Sequence, residues 1–161
     1  MTVDQYNKCV DLHGDAIYRF VLKNIKDKDE AKDIVQDCFE KVWMKIDDVS
    51  FEKAKSYFFT AAYHIMIDKL RRNKFSVSLE QAPEIRVPSS SMKMDLKSVI
   101  NNALERLPDV QRIVVMLRDY EGYSYEEIGE IAGLTESQVK VYIYRARMTM
   151  KEYIVKLENV I

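Results

Sequence analysis

The stretch Tyr123–Arg147, YSYEEIGEIAGLTESQVKVYIYRAR, decides how the chain is read. Ser124 and Glu127 have the spacing of a capping box, in which each side chain accepts a hydrogen bond from the other residue's free backbone N–H. Ile128, Ile131 and Ala132 then give a short helix one apolar face. Gly133 suits the left-handed turn that lets two helices cross steeply. Leu134 fills the corner, and Thr135 with Gln138 repeats the capping box. On the next helix Val139, Ile143, Ala146 and Met150 form a single stripe. The opposite face carries Glu136, Ser137, Lys140, Val141, Tyr144, Arg147 and Lys151. This is the layout of a helix-turn-helix whose second helix reads the major groove.

The outer face has the chemistry for that task. Ser137 and the helix N-terminus can hold phosphates, while Lys140 and Tyr144 can reach base edges. Val141 can meet a thymine methyl, and Arg145, Arg147 and Lys151 suit phosphates. An ordinary solvated face is the competing reading. Two capping boxes, a corner glycine and cations gathered on one helix favour DNA.

Composition sets the frame. The chain has 161 residues, a formal net charge of −1, and only four Gly and three Pro. That argues against a turn-rich β fold, and the abundant Leu, Ile, Lys, Glu, Ala and Met favour helix. The polar start MTVDQYNKCVDLHGD is unlike a signal peptide, and the apolar run IVVML at 113–117 is far too short to span a bilayer. A soluble, cytoplasmic protein with no direct membrane insertion is expected. Cys9 and Cys38 form no CxxC pair and read as free thiols. Cys9 and His13 share a helix face, but no further ligand accompanies them, so no metal is expected. There is no phosphate-cradling G-x-x-x-x-G-K loop and no legible Ser/His/Asp arrangement, so the chain reads as neither an enzyme nor a cofactor carrier. Near-neutrality hides basic patches, DKLRRNK at 68–74 and KVYIYRARMTMK at 140–151, which fit contact with DNA beside another partner.

Outward from the opening stretch, the pattern is helical. Val3, Tyr6, Val10, Ile17, Phe20 and Val21 predict a helix over 3–25. Asp29 is the expected cap of a second helix running to about Ile46, and a third starts between Ser50 and Lys53 and runs to about Asn73. The period then stops. NKFSVSLEQAPEIRVPSSSMKMD at 73–95 holds two prolines and a serine triplet, the composition of a flexible linker. Beyond it, 95–107 reads as a helix, Pro108 ends it or opens the next, and Gly122 closes that next one. The expected architecture is all-α: two small helical domains, 1–73 and 95–161, joined by a flexible linker at 74–94.

The segment ALERLPDVQRIVVMLRDYEGYSYEEIGEIAGLTESQVKVYIYRAR at 103–147 resembles region 4 of bacterial sigma factors, above all the extracytoplasmic-function group. The resemblance rests on Leu107-Pro108, Gln111-Arg112, Leu117-Arg118, Glu121-Gly122-Tyr123-Ser124, Glu126-Glu127-Ile128, Val139-Lys140 and Arg145-Ala146-Arg147. Independently, DEAKDIVQDCFEKVW at 29–43 is similar to the region 2 helix that docks on the polymerase clamp. SYFFTAAYHIMIDKLRR at 56–72 resembles the helix that melts and reads the −10 element. Two matches in the right order cover nearly the whole chain except the linker. The pattern departs from the family at Tyr142, where Arg is frequent, at Val141, where Ser is frequent, and at His64, where Asn is common.

The resemblance implies a dissociable sigma subunit that binds core RNA polymerase and directs promoter-specific initiation. Region 4 would read the −35 element as duplex, and region 2 would capture the −10 element as single strand. Unstacking a base costs a few kcal/mol, and aromatic stacking returns about 1–3 kcal/mol per base. Tyr57, Tyr63, His64, Lys69, Arg71 and Arg72 are the implied −10 contacts. The stripe Phe59, Tyr63, Met66 or Ile67, and Leu70 also reads as core, as does Phe58. Asp33, Gln36, Asp37 and Glu40 are the implied polymerase contacts, with Trp43 mainly in the core. An anti-sigma factor is an implied regulator. The alternative, a free-standing helix-turn-helix regulator, leaves the match at 29–72 unexplained.

Overall fold

The computed structural model describes residues 1–79 and 95–160. It contains helices α1 (Val3–Ile25), α2 (Lys28–Met44), α3 (Ala54–Leu79), α4 (Leu96–Glu105), α5 (Asp109–Asp119), α6 (Tyr125–Ala132) and α7 (Glu136–Val160), and no strand among the described residues. The first three build one helical domain and the last four another.

Local chemistry explains the boundaries. Thr2 and Gln5 open α1 with a reciprocal capping box, at 2.9 and 3.1 Å. Lys26, at φ 66°, closes it in the left-handed conformation. Asp27, rather than the expected Asp29, caps α2. Its backbone is extended there, and its carboxylate accepts from the N–H groups of Asp29 and Glu30 at 2.9 and 3.1 Å. A 3₁₀ turn at Phe51–Lys53 leads into α3. That helix continues to Leu79, past Asn73, where the apolar period ends. Of the linker expected at 74–94, residues 80–94 lie outside the described residues. Asp95 caps α4 by accepting from the Ser98 N–H at 2.9 Å, and Pro108 immediately precedes α5.

The core of the first domain gathers Ile17, Phe20 and Val21 of α1, Ile34, Cys38 and Val42 of α2, and Phe58, Phe59, Ala62 and Met66 of α3. Burying each large apolar side chain contributes about 1.5–3 kcal/mol. Phe58 meets Phe39 edge-on at 5.6 Å, and Phe59 meets Phe20 at 5.4 Å. Trp43 corrects the expectation from sequence: it is 44% exposed, and its ring meets that of Tyr6 edge-on at 5.1 Å. One residue beyond buried Val42, it lies about 100° around the helix from the inward row.

In the second domain Ile113, Leu117, Ile128, Ile131, Val139, Ile143 and Ala146 are buried together. The long α7 packs against α4, α5 and α6. Near its far end the Arg106 guanidinium stacks on the Tyr153 ring, 4.1 Å from its centre.

The two domains are packed on each other. The turn between α5 and α6 lies against α1 and α3. The Lys23 ammonium sits 4.2 Å above the Tyr120 ring, Tyr123 meets Phe59 edge-on at 5.7 Å, and the Lys55 ammonium is 5.3 Å from the Tyr123 ring centre. Arg112 donates from Nε to Asn24 Oδ1 at 2.6 Å, and Lys74 pairs with Asp109 at 2.8 Å.

Candidate nucleic-acid and polymerase interfaces

The helix-turn-helix forms as the sequence predicts. Ser124 and Glu127 make both bonds of their capping box, at 3.0 and 3.1 Å, and Thr135 and Gln138 make theirs at 2.9 and 3.1 Å. Gly133 stands at φ 70°, ψ 37°, and its N–H bonds to the Gly129 carbonyl. Gly129 is needed for another reason: a β-carbon there would lie 2.6 Å from the Leu134 carbonyl oxygen. The corner is thus tight on one side and left-handed on the other.

This geometry presents α7 with one face in and one face out. Val139, Ile143 and Ala146 are buried, and Met150 is half-buried. Ser137, Lys140, Val141, Tyr144, Arg145, Arg147 and Lys151 are all exposed. Neighbours hold some of these side chains. Lys140 pairs with Glu136 one turn back at 3.6 Å and lies 5.8 Å from the Tyr125 ring centre. Arg147 pairs with Asp119 at 2.8 Å. Arg118 braces the base of the reader by stacking on Tyr125 at 4.7 Å and donating to the Tyr123 carbonyl at 2.9 Å. Tyr142, the departure from the family pattern, is half-buried rather than on the outer face.

On α3, Tyr57, His64, Arg71 and Arg72 are exposed along one side. Lys69 is partly covered and pairs with Glu30 of α2 at 3.2 Å. Tyr63 is 5% exposed, its ring 5.5 Å from His64. Burial pushes its phenol above the ordinary value; Arg71 opposes the rise and Tyr142, reaching across from α7, adds to it. Tyr63 therefore stands apart from the other sequence-predicted −10 residues in this closed arrangement.

On α2, Asp33, Gln36, Asp37 and Glu40 are all exposed. Asp37 and Glu40 border an open groove of about 410 Å³ between α2 and α3, with Met44, Ile65 and Arg72 on its other sides. Met44, 77% exposed at the end of α2, supplies an apolar element that the polar reading of this face omits. Its signal in the sequence is position alone, beyond the last inward residue of the helix.

Both cysteines are buried. Cys38 Sγ–H donates to the Phe58 carbonyl at 3.1 Å, and burial pushes its thiol up to about 12. Among the described residues no group of three or more His, Cys, Asp or Glu side chains converges as metal ligands, and no helix is long and apolar enough to cross a membrane.

Comparison with known proteins agrees with this geometry along the chain. Residues 9–76 match the family model of Sigma-70 region 2, and residues 98–150 match that of Sigma-70, region 4. The RNA polymerase sigma factor SigV of Bacillus subtilis is 30% identical over 150 residues, covering 92% of this chain and 90% of that protein. The ECF RNA polymerase sigma factor SigM of the same organism is 27% identical over 156 residues, covering 94% of both. Among solved structures, the sigma factor RpoE in complex with the anti-sigma factor NepR from Bartonella quintana superposes with a TM-score of 0.77 at 25% identity, over 94% of this chain and 98% of that one. CnrH in complex with the cytosolic domain of CnrY shares the fold, with a TM-score of 0.69 at 20% identity, over 94% of this chain and 88% of that one. With both conserved regions present in order on one chain, and relatives matched over nearly their full length, the protein belongs to the extracytoplasmic-function group of the sigma-70 family of RNA polymerase sigma factors.

Proposed function

We propose that this sigma subunit, which binds core RNA polymerase and directs promoter-specific initiation, divides that work between residues 1–73 and 95–161. The observation that carries the division is the placement of the exposed side chains. One helix-turn-helix presents Ser137, Lys140, Val141 and Tyr144 in a row, with Arg145, Arg147 and Lys151 beside them. That row suits duplex readout of the −35 element, with the cations on phosphates. In the other domain Tyr57, His64, Arg71 and Arg72 line α3. Aromatic and cationic groups on one side of a helix suit a single strand, through stacking and backbone charge. Lys69 adds charge once released from Glu30, and Tyr63 adds a ring once uncovered.

Asp33, Gln36, Asp37 and Glu40 on α2 form the polymerase-docking face, and Met44 gives it an apolar contact. The chain acts in the cytoplasm, where polymerase and chromosome meet. An anti-sigma factor is its regulator, as the solved neighbours RpoE and CnrH, captured with NepR and CnrY, suggest by similarity. The chain performs no catalysis of its own.

The test is co-elution of the purified protein with core RNA polymerase, followed by run-off transcription on fragmented genomic DNA. Co-elution with new discrete transcripts is the expected result. No association with core, together with specific retention of duplex DNA by the free protein, would return the chain to free-standing regulators.

A further inference from the structure

Between 136 and 151, α7 carries one acidic residue, Glu136, against Lys140, Arg145, Arg147 and Lys151, and all five are exposed. On a surface that meets a polyanion this carboxylate needs a reason, because a negative charge near phosphates weakens binding to any duplex. Capping does not supply it. Thr135 Oγ1 accepts from the Gln138 N–H at 3.1 Å, and the Thr135 N–H donates to Gln138 Oε1 at 2.9 Å, so the capping box leaves the Glu136 side chain out. The helix macrodipole favours a carboxylate in the first turn, but that preference is indifferent to the sequence of the DNA.

Glu136 is paired with Lys140 instead. Its Oε1 stands 3.6 Å from the ammonium, and the two side chains are 56% and 58% exposed. The Tyr125 ring of α6 lies 5.8 Å from the same ammonium. An ammonium has three protons to donate and a carboxylate two oxygens to accept with. One contact between them leaves each with capacity to spare, at the end of the reading helix that meets base edges.

A G·C pair presents the matching pattern. In the major groove guanine offers O6 and N7 as acceptors, and cytosine offers its N4 amino group as a donor. O6 and N4 are hydrogen-bonded to each other across the pair, so acceptor and donor lie about 2.9 Å apart, close to the spacing of the two charges. An A·T pair in the same place sets thymine O4 against the carboxylate and the adenine N6 amino group against the ammonium, acceptor on acceptor and donor on donor. We propose that Glu136 and Lys140 read one −35 base pair as a unit, the ammonium donating to guanine O6 and N7 while the carboxylate accepts from the cytosine N4 amino group. Glu136 is then a specificity-determining residue, an assignment that rests on the base-reading role of Lys140. Each charge keeps its partner in the groove, so neither enters unpaired.

The test uses holoenzyme and promoter fragments recovered by run-off transcription, varied one base pair at a time across the −35 element. Wild-type holoenzyme should prefer G·C to A·T at one position by about fivefold or more. Glu136→Ala should abolish that preference at the same position that Lys140→Ala relaxes, and should raise affinity for non-promoter duplex. Glu136→Gln should admit A·T there, because its amide can donate to thymine O4. N4-methylcytosine keeps the Watson–Crick pair but puts a methyl group in place of the groove-facing N4–H. It should weaken wild-type binding by about fivefold or more and leave Glu136→Ala unaffected. Circular dichroism checks the helix content of each variant, and if Glu136→Ala fails to fold, Glu136→Gln decides. Glu136 variants that keep the wild-type preference, or relax a position other than the one Lys140→Ala relaxes, would overturn the proposal while the Lys140 reading stands, as would indifference of the wild type to the methyl group. An unchanged preference at every position in Lys140→Ala would overturn both.

Discussion

Arg147 of α7 and Asp119 at the end of α5 form an ion pair of 2.8 Å, with both side chains about half exposed. The pair spans the helix-turn-helix from its supporting helix to its reader. It orients a guanidinium at the edge of the proposed groove-reading face and partly neutralises it. Arg147→Ala should weaken promoter binding by the holoenzyme with little change of sequence preference, and should lower the slope of log affinity against log salt by about one. Asp119→Ala should strengthen retention on any duplex. Filter binding across a salt series reads both, and an unchanged slope for Arg147→Ala would remove it from the phosphate contacts.

The two proposed interfaces should separate cleanly by mutation. Lys140→Ala should cost about 1–3 kcal/mol of discrimination at one −35 position and leave affinity for core polymerase intact. Asp33→Ala with Gln36→Ala should do the reverse, reducing core affinity about tenfold or more. Fluorescence titration of core with labelled subunit measures this. Loss of core binding in Lys140→Ala would refute its assignment to DNA.

The corner of the helix-turn-helix has two glycines with different reasons for being glycine. Gly133→Ala forces a β-carbon into the left-handed region, at about 1–2 kcal/mol. Gly129→Ala drives a β-carbon toward the Leu134 carbonyl, an overpacking defect of about 1–3 kcal/mol. Both should lower the thermal midpoint, and Gly129→Ala should also disturb DNA retention by prying the helices apart. A Gly129→Ala protein with unchanged melting would mean that the corner relaxes freely.

Acid should loosen the joint between α3 and α5. Burial pushes the Asp109 carboxyl up, but bonds from Lys74 and Arg112 outweigh it and hold the group below its ordinary value. A carboxyl depressed on folding contributes stability above the ordinary carboxylate range, and that contribution is lost as pH falls through the lowered value. Melting temperature should therefore fall as pH drops below about 4. Asp109→Asn should flatten that dependence. Parallel curves for the two proteins would show that the pair contributes nothing.

Neither thiol should behave as a redox sensor. Cys38 is fully buried with its thiol raised to about 12, and burial also raises Cys9. Because the thiolate is the reactive form, a maleimide should label neither in the native protein and both in denaturant. Rapid native labelling would reveal opening of the first domain.

What was legible in the sequence was local. The capping boxes at Ser124–Glu127 and Thr135–Gln138 join residues three apart, so spacing and chemistry suffice to find them. The α7 stripe and its exposed opposite follow from the same helical period. The sequence points to Asp29 as the cap of α2, whereas the extended backbone at Asp27 gives that residue the role, and backbone conformation at one position is not legible in spacing. Trp43 was misplaced because size and apolarity say nothing of angular position once Val42 has filled the inward row. The Asn24–Arg112 bond joins residues 88 apart. Asn24 has no periodic neighbour of its own kind, so nothing along the chain marks it as a partner. Tyr63 fits both a core stripe and a DNA-facing helix, and spacing alone does not choose between them; in the structure it is 5% exposed.

The continuity of α7 has a mechanical meaning. From Glu136 to Tyr153 is a single helix with no glycine or proline, about 26 Å at 1.5 Å per residue. A rod of that kind pivots as one piece. The stack of Arg106 on Tyr153 grips it at the end remote from the groove-facing residues. The Arg106–Tyr153 stack holds α7 at the end opposite the corner at Gly133, and buried Val139, Ile143 and Ala146 fix it between the two, so the outer face that carries Lys140 and Tyr144 is held at both ends.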